Sequence, residues 1–390
     1  VPQKDSTYDI IIAGCGCSGL SLAWNLYKLT GDRFSILMVD KSFSKREKKT
    51  WCFWDEDLLP EPVKVTTGWN RLHFGSELLQ KNDELRQFQY KCLTSYSYDD
   101  EMMEVLRKVE NIDWVETDIK NIIENNSSAI VETGKGNFRG GKIFQSVFRT
   151  ENLNSEGELR QHFIGWEVNA DKDIFDEEAA TLMDFRVDQK GATAFMYLLP
   201  FGSQRALVEY TLFSNQLLEK SEYETEIKSY LKEKFSLEDG EYKIRGKEKG
   251  SIPMVENHYQ FKSGNYVYNI GMVSGCTKPT TGYTFSRIHR MSRRIAEQLS
   301  KNEEPDVKEI SPGRFRFYDM LLLDILNENP GASIKIFSEL FEKNSMDSIL
   351  KFLDEKSGVW EDVRLLLSLP WHPFLRALWR SRSKLLKGTF

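Results

Sequence analysis

The segment Gly14-Cys15-Gly16-Cys17-Ser18-Gly19 constrains this chain more than any other. Residues 8–13 before it form a short apolar run, the pattern of a buried parallel strand. Residues 20–29 after it carry apolar side chains at helical spacing, and residues 35–39 read as a second buried strand ending at Asp40. Strand, glycine turn, helix and strand in that order form a dinucleotide-binding unit. The first glycine makes the tight turn, the second lets a pyrophosphate approach backbone N–H groups, and the third lets the helix pack on the sheet. Asp40 follows Gly19 by about twenty residues, as an acid that binds a ribose hydroxyl should. Gly14, Gly16, Ser18, Gly19 and Asp40 are therefore the expected cofactor contacts. Gly134-Lys135-Gly136 has glycines but no following helix and reads as a hairpin turn. With no second complete fingerprint, a built-in NAD(P)H domain is not expected. FAD is the expected cofactor, reduced by external NAD(P)H or another donor.

A second glycine-containing turn is Asn269-Ile270-Gly271-Met272-Val273-Ser274-Gly275, followed by Lys278-Pro279-Thr280-Thr281-Gly282-Tyr283. A strand over 266–270 leads into it, and a helix over 282–299 is expected to open near Gly282. A helix N-terminus favours anionic groups. In flavoproteins of this kind such a turn approaches the flavin ring and ribityl chain. Gly271, Gly275, Thr281 and Gly282 are the expected contacts there; a purely structural strand-to-helix loop is the alternative.

Elsewhere the pattern changes to period two. Residues 118–148 read as a small antiparallel meander, and 163–168, 181–187, 193–200 and 205–213 as further strands. The last two are joined by the hairpin signal Phe201-Gly202-Ser203-Gln204. Helices are expected over 99–109 and 221–235, and the chain reads helical after Pro312. The expected class is α/β: a Rossmann-type FAD-binding fold, glutathione-reductase-like and of hydroxylase-type architecture, with an inserted antiparallel β substrate domain and a helical C-terminal region. The expected FAD-binding domain is discontinuous, at 1–55, 90–150 and 260–300. Residues 56–89 and 151–259 form the β-rich substrate domain, and 301–390 the helical region.

Composition narrows the chemistry. A net charge of −6 disfavours a nucleic-acid partner, which needs a basic surface. The five cysteines and five histidines show no zinc spacing, so no metal is expected. An odd cysteine count favours a reducing compartment. No signal peptide and no run of about 18 apolar residues is visible. The abundant aromatics, 24 Phe, 15 Tyr and 9 Trp, suit either an extra core or a large apolar substrate.

Five further segments occur in order: Thr50-Trp51-Cys52-Phe53-Trp54, Met183-Asp184-Phe185-Arg186-Val187, Phe195-Met196-Tyr197-Leu198-Leu199-Pro200, Leu207-Val208-Glu209-Tyr210-Thr211 and Gly282-Tyr283. Together with the fingerprint they resemble the flavin-dependent lycopene β-cyclases of carotenoid synthesis, over roughly the first 300 residues. The resemblance implies a redox-neutral isomerase. A linear carotene end is protonated, the carbocation closes a β-ionone ring, and a proton is lost. Reduced FAD is required without net electron transfer. It also implies a peripheral enzyme on the cytoplasmic side of the membrane, taking lycopene or another linear carotene.

The residues can be read physically beside that resemblance. Leu207, Glu209 and Thr211 share one face of a strand, and a carboxyl among apolar neighbours is partly desolvated, which favours its protonated form. Glu209 is the expected acid–base residue, against the plainer reading of a solvent-facing strand glutamate. The family motif places a second acid directly after this glutamate, where this chain has Tyr210. Asp184 is the other catalytic candidate, with a strand ion pair to Arg186 as the alternative. Trp51, Phe53, Trp54 and Tyr210 are the expected substrate-lining residues, since aromatic rings stabilise a carbocation, and core packing is the alternative. Residues 363–390 carry Arg364, Arg376, Arg380, Arg382, Lys384 and Lys387 with Leu and Trp but no acid, the composition of an interfacial helix or of a packed terminal helix. Arg287, Arg290 and Arg294 are expected on a solvated helix face. Two other functions stay open: an FAD-dependent oxidoreductase (a monooxygenase or isoprenoid reductase) on an apolar substrate, and a non-enzymatic flavin- or isoprenoid-binding protein.

Overall fold

A computed structural model describes residues 6–44, 46–54, 59–147, 158–255, 260–307 and 311–386. Its first sheet has the order β8 (Ile112–Glu116), β2 (Ile36–Asp40), β1 (Thr7–Ala13), β11 (Gly136–Gln145), β10 (Ala129–Thr133), β9 (Ile119–Glu124), with β17 (Val267–Asn269) also on β11. β8, β2, β1, β11 and β17 run parallel, and β9 and β10 complete the antiparallel meander. Its last strand continues beside β1, where Ile10, Ile11 and Ile12 pair with Lys142, Ile143 and Phe144. Helices α1 (Cys17–Thr30), α2 (Ser95–Leu106) and α4 (Phe285–Ser300) cover one face and share a core with β1 and β2. That burial on both faces is why β1 and β2 read as unbroken apolar runs.

A second sheet has the order β16 (Tyr242–Pro253), β12 (Arg160–Ala170), β15 (Arg205–Ser214), β14 (Thr193–Gly202), β13 (Ala179–Asp184), β5 (Arg71–Gly75), β6 (Gln80–Glu84). Alternation along β15 sorts its two faces. Ala206, Val208, Tyr210 and Leu212 pack against α3 (Lys220–Phe235). Leu207 and Phe213 enter the core shared with the C-terminal helices. The spacing of Tyr223, Ile227, Tyr230 and Leu231 supplies the matching apolar stripe on α3. A third sheet, β3 (Thr50–Phe53), β7 (Tyr90–Thr94), β4 (Thr67–Trp69), lies between the two cores: Trp51 and Phe53 touch the first, Cys52 and Tyr90 the second.

The C-terminal helices are α5 (Gly313–Glu328), α6 (Ala332–Lys343), α7 (Met346–Leu353), α8 (Val359–Leu367) and α9 (Trp371–Leu386). No helix of the described residues is long and apolar enough to cross a membrane. The expected solvated arginine stripe on α4 is corrected. Arg287 pairs with Glu355 at 2.9 Å, Arg290 with Asp354 at 2.5 Å, and Arg294 Nε donates to the Asp306 carbonyl. These arginines hold α4 against the C-terminal part of the chain rather than facing water.

Candidate active site

The first glycine turn is built as a cradle. Gly14 sits at φ 97°, which favours glycine, and α1 begins at Cys17, so Ser18 and Gly19 lie in its first turn. A Cβ on Gly19 would stand 2.2 Å from the Gly14 carbonyl oxygen, so helix and turn touch there. A Cβ on Gly16 would meet nothing within 4 Å. The Gly16 cap makes no side-chain hydrogen bond to the helix, which leaves the N-terminal N–H groups for an anion. Asp40 ends β2 and accepts from Cys15 N at 2.6 Å and Ser42 N at 3.1 Å.

The second turn meets the first. A Cβ on Gly271 would lie 2.7 Å from Ser18 Oγ, and Gly271 has φ 68°. The chain passes through a 3₁₀ turn, Gly271–Ser274, and left-handed Gly275 before Gly282; α4 opens at Phe285 rather than near 282. Buried Lys278 pairs with Asp319 and Glu355, each at 3.0 Å, and Thr280 donates to Asp319 at 2.7 Å. These bonds pin the turn carrying Thr281 and Gly282 to α5 and to the segment after α7. Gln161 Oε1 is buried without a hydrogen-bond partner, and a Cβ on Gly282 would stand 2.5 Å from it. The open space over Gly16, the uncapped helix terminus and this orphaned acceptor all suit FAD.

The expected acids separate. Asp184 is fully buried, with Arg186 Nη2 at 2.8 Å, Lys234 Nζ at 2.9 Å and the Tyr230 hydroxyl donating at 2.9 Å. Burial pushes its pKa up, but Arg186 and Lys234 more than reverse this and hold it well below the usual range. Asp184 and Tyr210 flank Met196 of β14 in register, and Tyr210 and Met196 belong to the α3 face, whose Tyr230 and Lys234 hold Asp184. Both are therefore away from Glu209. Asp184 anchors β13 to α3, and Tyr210 donates to the Asp188 carbonyl and packs on Tyr223. Asp184→Asn should cost roughly 3–5 kcal/mol by leaving two cations unpaired, read as a lowered urea midpoint. Because the folded pKa is depressed, this contribution is full above the ordinary aspartate value of about 3.9 and is lost as pH falls from there toward the folded value.

Glu209 has a different setting. It is 8% exposed, and the Thr211 hydroxyl donates to its Oε1 at 3.0 Å. Burial, reinforced by Glu248, pushes its pKa well above the carboxylate range, and Thr211 offsets this only in part. Glu248 of β16 escaped the sequence reading. Both glutamates are in register with Gly165 of the intervening strand β12. Their backbones are two strand spacings apart, roughly 9–10 Å. A Cβ on Gly165 would stand 3.2 Å from Glu209 Oε2, so the glycine leaves the gap over which the carboxyl leans. Glu248 accepts from Thr50 N at 2.9 Å and Thr50 Oγ1 at 2.6 Å; burial raises its pKa against these bonds.

The aromatic segment also divides. Trp51 and Phe53 stack on Phe285 at 5.4 and 4.9 Å, on the side of α4. Trp54 faces the other way, onto Tyr90 and Tyr283 at 6.0 and 5.1 Å. Strand alternation causes the split, so the four expected substrate-lining residues do not share one face: Trp51 and Phe53 pack with α4, Trp54 with Tyr90 and Tyr283, and Tyr210 with α3. Tyr197, opposite Glu209 on β14, shares a 2.8 Å hydroxyl contact with Tyr90, and Tyr90 one of 3.1 Å with Tyr283. A hydroxyl chain thus runs from beside Glu209 to the residue after Gly282. Cys52, Trp54, Tyr283 and Phe285 line one side of a cavity of about 20 Å³, room for about one water, and Lys278, Arg287, Arg290, Asp354 and Glu355 line the other.

A family model described as "Lycopene cyclase protein" matches residues 9–379. The chain belongs to the lycopene cyclase family. A family relative, a lycopene beta-cyclase of Pantoea ananas, is 23% identical over 388 residues, 95% of this chain and 97% of its own. The fold is that of FAD-dependent enzymes. A geranylgeranyl bacteriochlorophyll reductase-like protein from Thermoplasma acidophilum superposes with TM-score 0.63 at 12% identity, over 97% of this chain and 99% of its own. A flavin-dependent brominase gives TM-score 0.57 at 12% identity over 97% and 100%. A p-nitrophenol 4-monooxygenase from Pseudomonas putida gives 0.54 at 11% over 93% and 97%. Tyr210, where the family motif has its second acid, points to the α3 face, whereas the acid that shares Glu209's face is Glu248 of β16.

Proposed function

We propose that this member of the family is a lycopene β-cyclase, closing linear carotene ends to β-ionone rings without net redox change. The observation that carries the reading is Glu209: a buried carboxyl biased to its protonated form, on a strand facing aromatic rings and tyrosine hydroxyls. Gly14, Gly16, Ser18, Gly19 and Asp40 would hold the FAD pyrophosphate and ribose, and Gly271, Gly275, Thr281 and Gly282 the flavin end. When bound and reduced, FAD would supply an electron-rich partner for a cationic substrate end.

In this reading Glu209 delivers its proton to the terminal double bond of the substrate. The resulting cation closes the ring, and Trp54, Tyr90 and Tyr283 offer faces worth about 0.5–2 kcal/mol each. The ring cation then loses a proton to the Glu209–Glu248 pair, which returns to its starting charge. General acid–base groups work best with a pKa near the working pH, and burial moves Glu209 in that direction. The cavity beside Trp54 is small and its lining stops short of Glu209, so a carotene end reaches this carboxyl only as side chains between them move. Expression in lycopene-accumulating cells, with pigment chromatography, tests the activity: cyclic carotenes support it, and unchanged lycopene with folded, flavin-loaded protein contradicts it.

A carotene dissolves in lipid, and the C-terminal helices offer a surface suited to it. Trp360, Leu367, Trp371 and Trp379 are 83, 81, 64 and 65% exposed on α8 and α9. Arg382 lies over the Trp379 ring at 4.3 Å, while Arg380 is engaged by Asp324 at 2.5 Å. The Lys384 side chain and Lys387 lie outside the described residues. Basic residues interleaved with exposed Trp and Leu suit a peripheral contact with an anionic membrane face. Replacing Trp360, Trp371 and Trp379 by Ser should lower co-sedimentation with anionic vesicles at least several-fold and leave FAD binding intact. Unchanged sedimentation would assign this face another role.

A further inference from the structure

We propose that Cys52 and Cys92 form a redox-modification site, closing to a reversible disulfide when the protein meets hydrogen peroxide. Both are free thiols and stand directly opposite each other on β3 and β7. The bond from Ser95 N to Lys49 O, 2.8 Å, fixes the phase of that ladder. It flanks the Thr50–Thr94 pair, so that pair and, two residues along, Cys52–Cys92 are non-hydrogen-bonded pairs. Such pairs hold their Cα atoms about 4.5 Å apart, inside the span of a disulfide.

Access orders the chemistry. Cys52 lines the cavity beside Trp54 and Tyr283, whereas Cys92 is fully buried. The neighbouring Cys52 sulfur and burial push the Cys92 thiol up, so Cys52, which borders the cavity, is oxidised first and Cys92 reacts second. The Cys52 thiol gives up its proton as its sulfur attacks one peroxide oxygen; the O–O bond breaks, the leaving hydroxide takes up that proton as water, and a sulfenic acid remains. Cys92 sulfur then attacks the sulfenyl sulfur; the S–O bond breaks, and a second water leaves. Two thiols are oxidised by two electrons and one peroxide is reduced. Cys52 is close enough to act electrostatically on Tyr90, Tyr197, Tyr283 and Glu209, so the bridge forms within the candidate active site. The site itself does not depend on the proposed cyclase activity.

The test exposes the folded full-length chain to hydrogen peroxide, quenches, unfolds, alkylates and maps peptides by mass. The expected result is a Cys52–Cys92 linked peptide that dithiothreitol removes, with two of the five thiols lost to alkylation. Cys52→Ser should leave Cys92 alkylatable after the same exposure. If that variant does not fold, the wild-type map alone decides. Cys52 and Cys92 both still alkylatable, or Cys52 driven to sulfinic acid beside a free Cys92, would overturn the proposal.

Discussion

Glu209→Gln is expected to lower ring formation by about 10²–10⁴-fold, the usual contribution of a general acid–base group, while the fold and FAD loading survive. The substitution keeps size and hydrogen-bonding capacity and removes the titrating proton. Its stability signature is as informative as its kinetics. A buried carboxyl with a raised pKa binds its proton more tightly in the folded chain than in the unfolded one. The wild-type protein therefore loses stability as pH rises above the unfolded value of about 4.3 toward the folded one. Glutamine carries no such penalty, so the variant should be at least as stable at neutral pH, with that part of the slope removed. Urea midpoints near pH 4, below the unfolded value of about 4.3, and at neutral pH read this directly. A variant that is less stable and still active would assign Glu209 to packing. Asp184→Asn is the counterpart: a large stability loss, with any residual folded protein retaining chemistry.

Gly16→Ala and Gly19→Ala should fail in opposite ways. A methyl on Gly19 meets the Gly14 carbonyl oxygen at 2.2 Å, so turn and helix must move apart. Overpacking of this kind costs about 1–3 kcal/mol, and flavin binding falls with the fold. A methyl on Gly16 meets no protein atom within 4 Å, so stability should be unchanged. It would stand instead where the pyrophosphate needs bare backbone, and FAD affinity should drop about tenfold or more, at least about 1.4 kcal/mol. Thermal melts of the FAD-free proteins and flavin titration separate the two. If Gly16→Ala bound FAD normally, the pyrophosphate would have to be moved off this turn.

Sequence pattern revealed the nucleotide-binding half well because its strands are buried on both faces. The apolar runs around Ile10–Ile12 and Ile36–Val39 have no other reading, and the glycine turn demands backbone proximity that few other structures need. The edge of the second sheet was harder. β6 is Gln80-Lys81-Asn82-Asp83-Glu84, and β16 carries Lys243, Arg245, Lys247 and Lys249, so neither looks like a strand. Such charged strands belong at sheet edges, where they discourage pairing with other chains. Missing β16 meant missing Glu248, whose meaning comes only from its register with Gly165 and Glu209. The alternation of Leu207, Glu209 and Thr211 fits an exposed glutamate as well as a buried one, and only the family resemblance singles out Glu209, which the structure buries. For Asp184 the ion pair with Arg186, the alternative the sequence offers, is the one formed; its face and that of Tyr210 are not legible, because a motif gives order along the chain but not which face of a sheet a residue occupies. The arginines of α4 were misread for a similar reason. Their partners, Glu355 and Asp354, are more than sixty residues away in sequence.

The proposed reaction forms a ring without electron transfer. Its most direct test is a single anaerobic incubation of the FAD-loaded chain, chemically reduced beforehand, with lycopene dispersed in vesicles. Flavin absorbance is followed throughout, and the pigments are separated at the end. A redox-neutral cyclase accumulates cyclic carotene over many turnovers while the flavin stays reduced, and Glu209→Gln abolishes that product. Oxidation of one flavin for each molecule of product, or a product that differs from lycopene by two hydrogens, would contradict it and place the chain among the oxidoreductases that share its fold.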